Sequence, residues 1–189
     1  MNNAKSNAVP ASSTREALMD AAESLIQQKG YNGFSYGDLS QLVGLRKPSI
    51  HHHFPKKELL GTSVIERYTD RFRAQLNDID TTSGGLTTSL RKYVQLFTTT
   101  YGKTRKLCPC GMLGAESAGL PLIVCEAVEA FFVLNLTWLT ALLERGRNER
   151  QFSFDADASS QALVILSALE GAMVVGRGID GDDTVSNVG

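Results

Sequence analysis

The run Tyr36-Gly-Asp-Leu-Ser40-Gln-Leu-Val-Gly44-Leu-Arg46-Lys-Pro-Ser-Ile50-His-His-His-Phe-Pro55 decides the fold. Its spacing predicts two helices of about eight residues each, meeting at Gly44, a residue free to take the left-handed conformation that a tight inter-helix turn demands. Ser40 lies four positions before that glycine and Ile50 six after it. These are the places where two helices joined by a short turn must approach closely and lock. Ser35 and Asp38 form a cap-like pair at the start of the first helix, and Leu39, Leu42 and Val43 give it one short apolar face. Pro48 falls in the first turn of the second helix, where a missing N–H costs little, and Pro55 ends that helix. The pattern is that of a helix-turn-helix.

Outward from this segment the period stays near 3.6. Ser13-Thr14-Arg15-Glu16 reads as a capping box, and Leu18, Ala21, Ala22, Leu25 and Ile26 follow at helical spacing. A first helix over Thr14–Lys29, ended by Gly30, is expected. Downstream, Leu59, Leu60, Val64, Tyr68, Phe72 and Leu76 mark a long helix from Lys57, and Thr81 to Gly85 reads as a linker. Leu90, Tyr93, Val94, Phe97 and Tyr101 mark a fifth helix, followed by a short element over Pro109–Ala118. Two long helices are expected near Pro121–Arg147 and Asp155–Arg177, with a polar loop between them. No stretch alternates with period two long enough to argue a sheet. The fold class is therefore all-α: a three-helix helix-turn-helix domain over 13–60, then a larger helical domain over 61–178. Residues 1–12 read as a disordered arm and 179–189 as a flexible tail.

Apolar residues make up 42% of the 189, enough for a continuous core. The net charge of −1 conceals an asymmetry. Residues 1–73 hold ten Lys/Arg against seven Asp/Glu, and residues 74–189 hold nine against thirteen. A basic first third on an acidic body suits a first domain that faces an anion. No uninterrupted apolar run reaches the roughly 18 residues that a bilayer span needs, and the start lacks the order of a signal peptide. A cytoplasmic protein without a membrane partner is expected, its three cysteines reduced.

With these residues in place, a family resemblance can be stated. Phe34-Ser-Tyr-Gly-Asp-Leu39, Val43-Gly-Leu45 and Ser49-Ile-His-His-His-Phe-Pro-Lys-Lys-Glu-Leu-Leu60 resemble the DNA-binding domain of the TetR/AcrR regulators, over about Thr14–Leu60. Gly111-Met-Leu-Gly-Ala-Glu116 and Leu169-Glu-Gly-Ala172 are similar to stretches of that family's ligand domains. The resemblance implies a homodimer, each subunit placing one recognition helix in the major groove of a palindromic, double-stranded operator. It implies regulation, by family habit repression, relieved by a small-molecule effector. Arg46, Lys47, Pro48 and Ser49 would begin the recognition helix, where side chains meet base edges and phosphates. His51 and His52 would lie on or beside the phosphate-facing surface. Lys57 would clamp the backbone at the start of the fourth helix.

Effector binding is expected among helices 5 to 7, where Phe97, Tyr101, Met112, Phe131, Asn135 and Trp138 offer an apolar, aromatic lining with few polar groups, although residues of these types are more often core than pocket. Val164, Leu166, Ala168, Leu169, Ala172 and Val175 suit a dimer bundle or intrachain core. Cys108-Pro-Cys110 follows Lys103, Arg105 and Lys106 and precedes a helix, which would lower a thiol pKa and make a redox sensor; the same cysteines could simply pack. Three consecutive histidines cannot converge on one ion, because successive helical residues point about 100° apart, so no metal is expected. Gly176-x-Gly178-x-x-Gly181 has no strand before it, and Ala115-Glu-Ser-Ala-Gly119 lacks the first glycine of a nucleophile elbow. No cofactor and no enzyme is expected. The competing reading is a small helical thiol enzyme using Cys108 and Cys110.

Overall fold

The computed structural model describes residues 11–102, 104–181 and 183–188. Within them lie α1 (Ala11–Lys29), α2 (Tyr36–Val43), α3 (Lys47–His53), α4 (Lys57–Thr82), α5 (Leu86–Tyr101), α6 (Pro109–Ala115), a 3-10 turn (Ser117–Gly119), α7 (Leu122–Asn148) and α8 (Ala158–Gly178), and no strand. The all-α expectation holds.

Local chemistry explains most boundaries. The Ser35–Asp38 pair is a full capping box. The Ser35 N–H donates to Asp38 Oδ2 at 2.7 Å, while Ser35 Oγ accepts from the N–H groups of Gly37 and Asp38. Gly44 ends α2 at φ 68°, ψ 20°, the left-handed conformation expected of it. Asp157 caps α8 by accepting from the Ser160 N–H at 2.8 Å, so that helix begins three residues later than the sequence pattern suggests.

Four expectations are corrected. Helix α1 already runs from Ala11, so Ser13 sits inside it rather than capping it. The rest of the expected arm, 1–10, lies outside the described residues. Helix α4 runs on to Thr82, into the expected linker. Leu42 is exposed, and Leu39 alone of the three α2 apolar residues is fully buried. The region 179–189 is not a loose tail over its described part. Val185 is buried, the Tyr101 hydroxyl donates to the Gly181 carbonyl at 2.9 Å, and Thr184 rests on Gly176, where a Cβ would lie 2.7 Å from the threonine oxygen.

The longest unit joining the two halves is α4, 26 residues and about 39 Å at 1.5 Å per residue. Its first turns bury Leu60 and Val64 under α1, and Arg67 fixes the pair by bridging Glu16, Asp20 and Glu23 at 2.7–3.1 Å. Its middle enters an aromatic core. Phe72 meets Tyr93, Phe97 and Phe131 edge-on at centroid distances of 5.1–6.3 Å. Helices α7 and α8 close the body. Both are long and apolar enough, by length and composition alone, to cross a membrane, with mean hydropathies of 1.8 and 1.5. Neither is an unbroken apolar run, since Glu126, Glu129 and Asn135 interrupt α7 and Ser167 and Glu170 interrupt α8. Each instead buries one face in the body and leaves Leu122, Val133, Leu163, Val164, Val174 and Val175 exposed on the other.

Candidate nucleic-acid interface

The turn between α2 and α3 is locked at three points. Ser40 Oγ donates to the Leu45 carbonyl at 2.5 Å, across the turn that Gly44 makes. Ile50 is fully buried and ties α3 to the core. The Tyr36 hydroxyl donates to the Phe54 carbonyl at 2.8 Å, holding the end of α3 against the start of α2; burial pushes that phenol up to about 12. A helix of seven residues is too short to hold its shape alone, so these anchors supply its rigidity.

What the anchors leave free is one continuous exposed surface. Arg46, Lys47, Pro48, Ser49, His51 and His52 are all exposed, while Ile50 between them points inward. Arg46 occupies the N-cap of α3 in an extended conformation and makes no side-chain cap bond, so its guanidinium is not spent on the helix start. His51 turns its ring onto Tyr36 at 4.8 Å and faces the Pro55 carbonyl through Nδ1 at 3.3 Å. His52 and His53 pack edge to face at 5.4 Å.

Lys57 departs from its expected role. Its ammonium points inward and donates to the Tyr31 carbonyl at 2.6 Å and to the Phe34 carbonyl, lying 4.6 Å and 4.2 Å from the two ring centroids. Burial lowers its pKa, opposed by the nearby Glu116 and Asp38. The lysine therefore holds the α1–α2 loop to α4, and its charge is engaged within the protein. Tyr31, which the sequence reading does not single out, and Phe34 form this cage.

Two more contacts join the halves. Glu116, at the end of α6, accepts from the backbone N–H and side-chain amide of Asn32 at 3.1 and 3.3 Å. Arg177, near the end of α8, donates to the Gln27 carbonyl at 3.1 Å and to that of Gln28, satisfying acceptors at the C-terminus of α1.

The expected effector residues are mainly core. Phe97, Tyr101, Phe131 and Asn135 are buried, and Asn135 is satisfied by the Tyr93 hydroxyl and the Phe131 carbonyl, both at 2.8 Å. Trp138 stacks on Tyr93 at 5.2 Å and donates to Asp80 at 2.9 Å. Met112 packs part-buried on α6. A cavity does lie beside them, between α6, α7 and α8, but Phe132 and Leu136 line it instead, one position along α7 from Phe131 and Asn135. Both faces of α7 are apolar, so periodicity alone does not say which face meets the space.

Of the two readings of Cys108 and Cys110, the structure has them packed, not poised as low-pKa thiols. Cys108 and Cys110 are completely buried, and burial pushes both thiols up, Cys108 further because Cys110 lies beside it. Of the cations invoked, Arg105 pairs with Asp180, and Lys103 lies outside the described residues. Cys108 is hydrogen-bonded to Glu170, the sole charged residue of α8 before Arg177, whose carboxyl burial and the thiol together raise well above the usual range. Glu170 belongs to the Leu169–Ala172 stretch, and it stands against Gly111 of the Gly111–Glu116 stretch. The two segments that resemble the family's ligand domains therefore meet in space.

Residues 18–61 match the family model of bacterial regulatory proteins, tetR family. A TetR-family transcriptional regulator from Agrobacterium tumefaciens superposes with a TM-score of 0.91 at 31% identity, covering 94% of each chain. The transcriptional repressor NemR of Escherichia coli is 25% identical over 84% of this chain and 81% of its own length. The E. coli repressor ComR is 38% identical over 71 residues, which span 38% of this chain and only 34% of that protein. The outward-facing α3 on its locked turn, the helical body behind it and these likenesses lead to one conclusion: the chain belongs to the TetR family of DNA-binding transcriptional regulators.

Proposed function

We propose that this protein is a homodimeric repressor that grips a palindromic operator through α3 and lets go when a small, largely apolar effector enters its C-terminal body. The observation that carries the reading is the surface of α3: six neighbouring residues from Arg46 to His52 are exposed around one fully buried anchor, Ile50. Arg46, Lys47 and Ser49 are assigned to base edges and phosphates, with Pro48 shaping the first turn and His51 and His52 beside the backbone. Residues 13–60 form the DNA-binding unit and 61–178 the effector and dimer unit. Two relatives whose names call them transcriptional repressors support repression as the sign of regulation. The protein acts where its DNA lies, in the cytoplasm.

Dimerisation is assigned to the outer faces of α7 and α8. Val164, Val174 and Val175 are more than half exposed, and their burial against a second copy would recover apolar area at roughly 25 cal/mol per Å². Effector release is assigned to the body because α4 runs from the helix-turn-helix into the aromatic core, with Glu116 and Arg177 reaching back to the α1 end. A coupling of about 1–3 kcal/mol would weaken operator binding roughly 5- to 150-fold. Release by thiol modification is the weaker route, since buried, high-pKa thiols react slowly. The same burial weighs against a thiol enzyme.

Fluorescence-anisotropy titration of the full chain against its upstream intergenic DNA tests the reading. Tight binding that falls steeply with salt, saturating at two chains per site, is expected. Equal binding to any duplex of the same length would overturn it.

A further inference from the structure

We propose that the cavity between α6, α7 and α8 is a binding site for an apolar organic cation, seated on the Phe132 ring and paired with the carboxylate of Glu170. This rests on the reading of the C-terminal body as the effector half and names the effector's chemistry.

The cavity measures about 420 Å³ and is lined by Gly111, Gly114, Phe132, Leu136, Leu166 and Glu170, among others. Apart from Ser167 and Glu170 its walls are apolar. At one side sits a single acidic group whose Oε1 is buried without a hydrogen-bond partner among the described residues. The two glycines make the site. A Cβ at Gly111 would lie 2.3 Å from Glu170 Oε2, and one at Gly114 would touch the Phe132 ring at 3.4 Å. Glycine at 111 is thus what lets the carboxyl group stand where it does.

Buried polar groups left unpaired are costly, and a structure that keeps one beside a cavity has a partner for it in view. The ligand's charge follows from the lining. An anion meets only an acid. A neutral molecule gains hydrogen bonds to Glu170 and Ser167 but no charge pair. A cation with an apolar body gains a charge pair at low dielectric and the face of an aromatic ring, while its body fills the apolar walls. The titratable groups facing Glu170 are Cys108 and Cys110 from the start of α6, Tyr68 from α4 and Tyr93 from α5, and none of them is a cation. With no cation among these groups, burial and then Cys108 favour the protonated form of Glu170. Entry of a permanent cation breaks its O–H bond, leaves the electron pair on the carboxylate and sends the proton to solvent.

Isothermal titration calorimetry of the full chain with benzyltrimethylammonium, in buffers of different ionisation enthalpy, reads this directly. One cation per site is expected, with one proton released, and affinity rising about tenfold per pH unit until the carboxyl ionises without help. The neutral isostere neopentylbenzene should bind at least tenfold more weakly. Glu170→Gln should bind the cation at least tenfold more weakly and with no proton release, its folding checked by circular dichroism. Leu163→Trp, at the exposed rim, should block entry without touching the core. No heat with the wild-type chain, equal binding of the neutral isostere, or unchanged cation binding by Glu170→Gln overturns the proposal. Calorimetry involves no DNA, so the two readings fail separately. A chain that binds the cation but no operator upholds the site and sinks the repressor; one that grips an operator but takes no cation does the reverse.

Discussion

Glu116 sits so close to Gly30 that a methyl group on the glycine would lie 1.6 Å from its Oε1, while the same carboxylate accepts two hydrogen bonds from Asn32. The α1–α2 loop and the end of α6 are thereby fitted to each other around one carboxylate. Gly30 is also left-handed, at φ 77°. Gly30→Ala combines a backbone cost of about 1–2 kcal/mol with a steric clash. Glu116→Ala loses two partly exposed hydrogen bonds, worth about 1 kcal/mol together, or roughly 2–4 °C in Tm. The clash vanishes when both are changed. Thermal melts of the four proteins should therefore show the double variant more stable than the sum of the single losses by at least about 0.5 kcal/mol. Strict additivity would mean the two residues do not meet in solution.

Lys57 and Lys47 separate a structural cation from a DNA-facing one. Lys57→Met removes two charge-assisted hydrogen bonds and its place between Tyr31 and Phe34, and should lower stability by about 2 kcal/mol in a denaturant titration. The slope of log K against log[salt] for the operator should stay as it was. Lys47→Ala should do the opposite: no change in stability beyond about 0.5 kcal/mol, and a salt slope shallower by roughly 0.9 for each phosphate the lysine had neutralised. A shallower slope for Lys57→Met would return that residue to the DNA interface.

Cysteine reactivity should follow burial rather than sequence context. Cys125 is half-buried, whereas Cys108 and Cys110 are closed off with raised pKa values. Mass spectrometry after brief iodoacetamide treatment of the native protein near pH 7 should find Cys125 labelled first, by a factor of ten or more. Cys108 and Cys110 should be labelled only after unfolding. Early labelling of Cys108 would reinstate thiol sensing as a route of operator release.

The turn and cap of the helix-turn-helix are legible in the sequence because they are local: Gly44, Ser40 and the Ser35–Asp38 cap act on neighbours within five positions, whereas the exposure of Leu42 is not legible. Nor is the role of Lys57, which is not local. Its partners are carbonyls 23 and 26 residues upstream, and nothing in the spacing shows which way a lysine at a helix start will turn. The effector half is legible only as helices. Phe131 and Phe132 are adjacent, and a rotation of about 100° decides which one is core and which one borders the cavity. The strongest signal in that half is Glu170, one acid in an otherwise uncharged run from Ala158 to Gly176. A charge inside so apolar a helix must find a partner, lose its charge or await a ligand.

Glu170 should also leave its mark on stability without any ligand. Its pKa is raised in the folded protein, mainly by burial and then by Cys108, and returns to the ordinary range on unfolding. Below about pH 4.3 both states hold the proton, and the group contributes no pH dependence. As pH rises above that, the unfolded chain gives up its proton while the native acid keeps it. The native state then binds more protons, and stability falls with pH until the native carboxyl itself ionises. Glu170→Gln keeps the shape and removes the titration. The difference in unfolding free energy between wild type and Glu170→Gln, measured by urea titration from about pH 4 to 8, should therefore move steadily against the wild type as pH rises. Taking the difference cancels every group the two proteins share. If it stays flat across that range, Glu170 is ionised in the folded protein, and a cation or water already sits beside its Oε1.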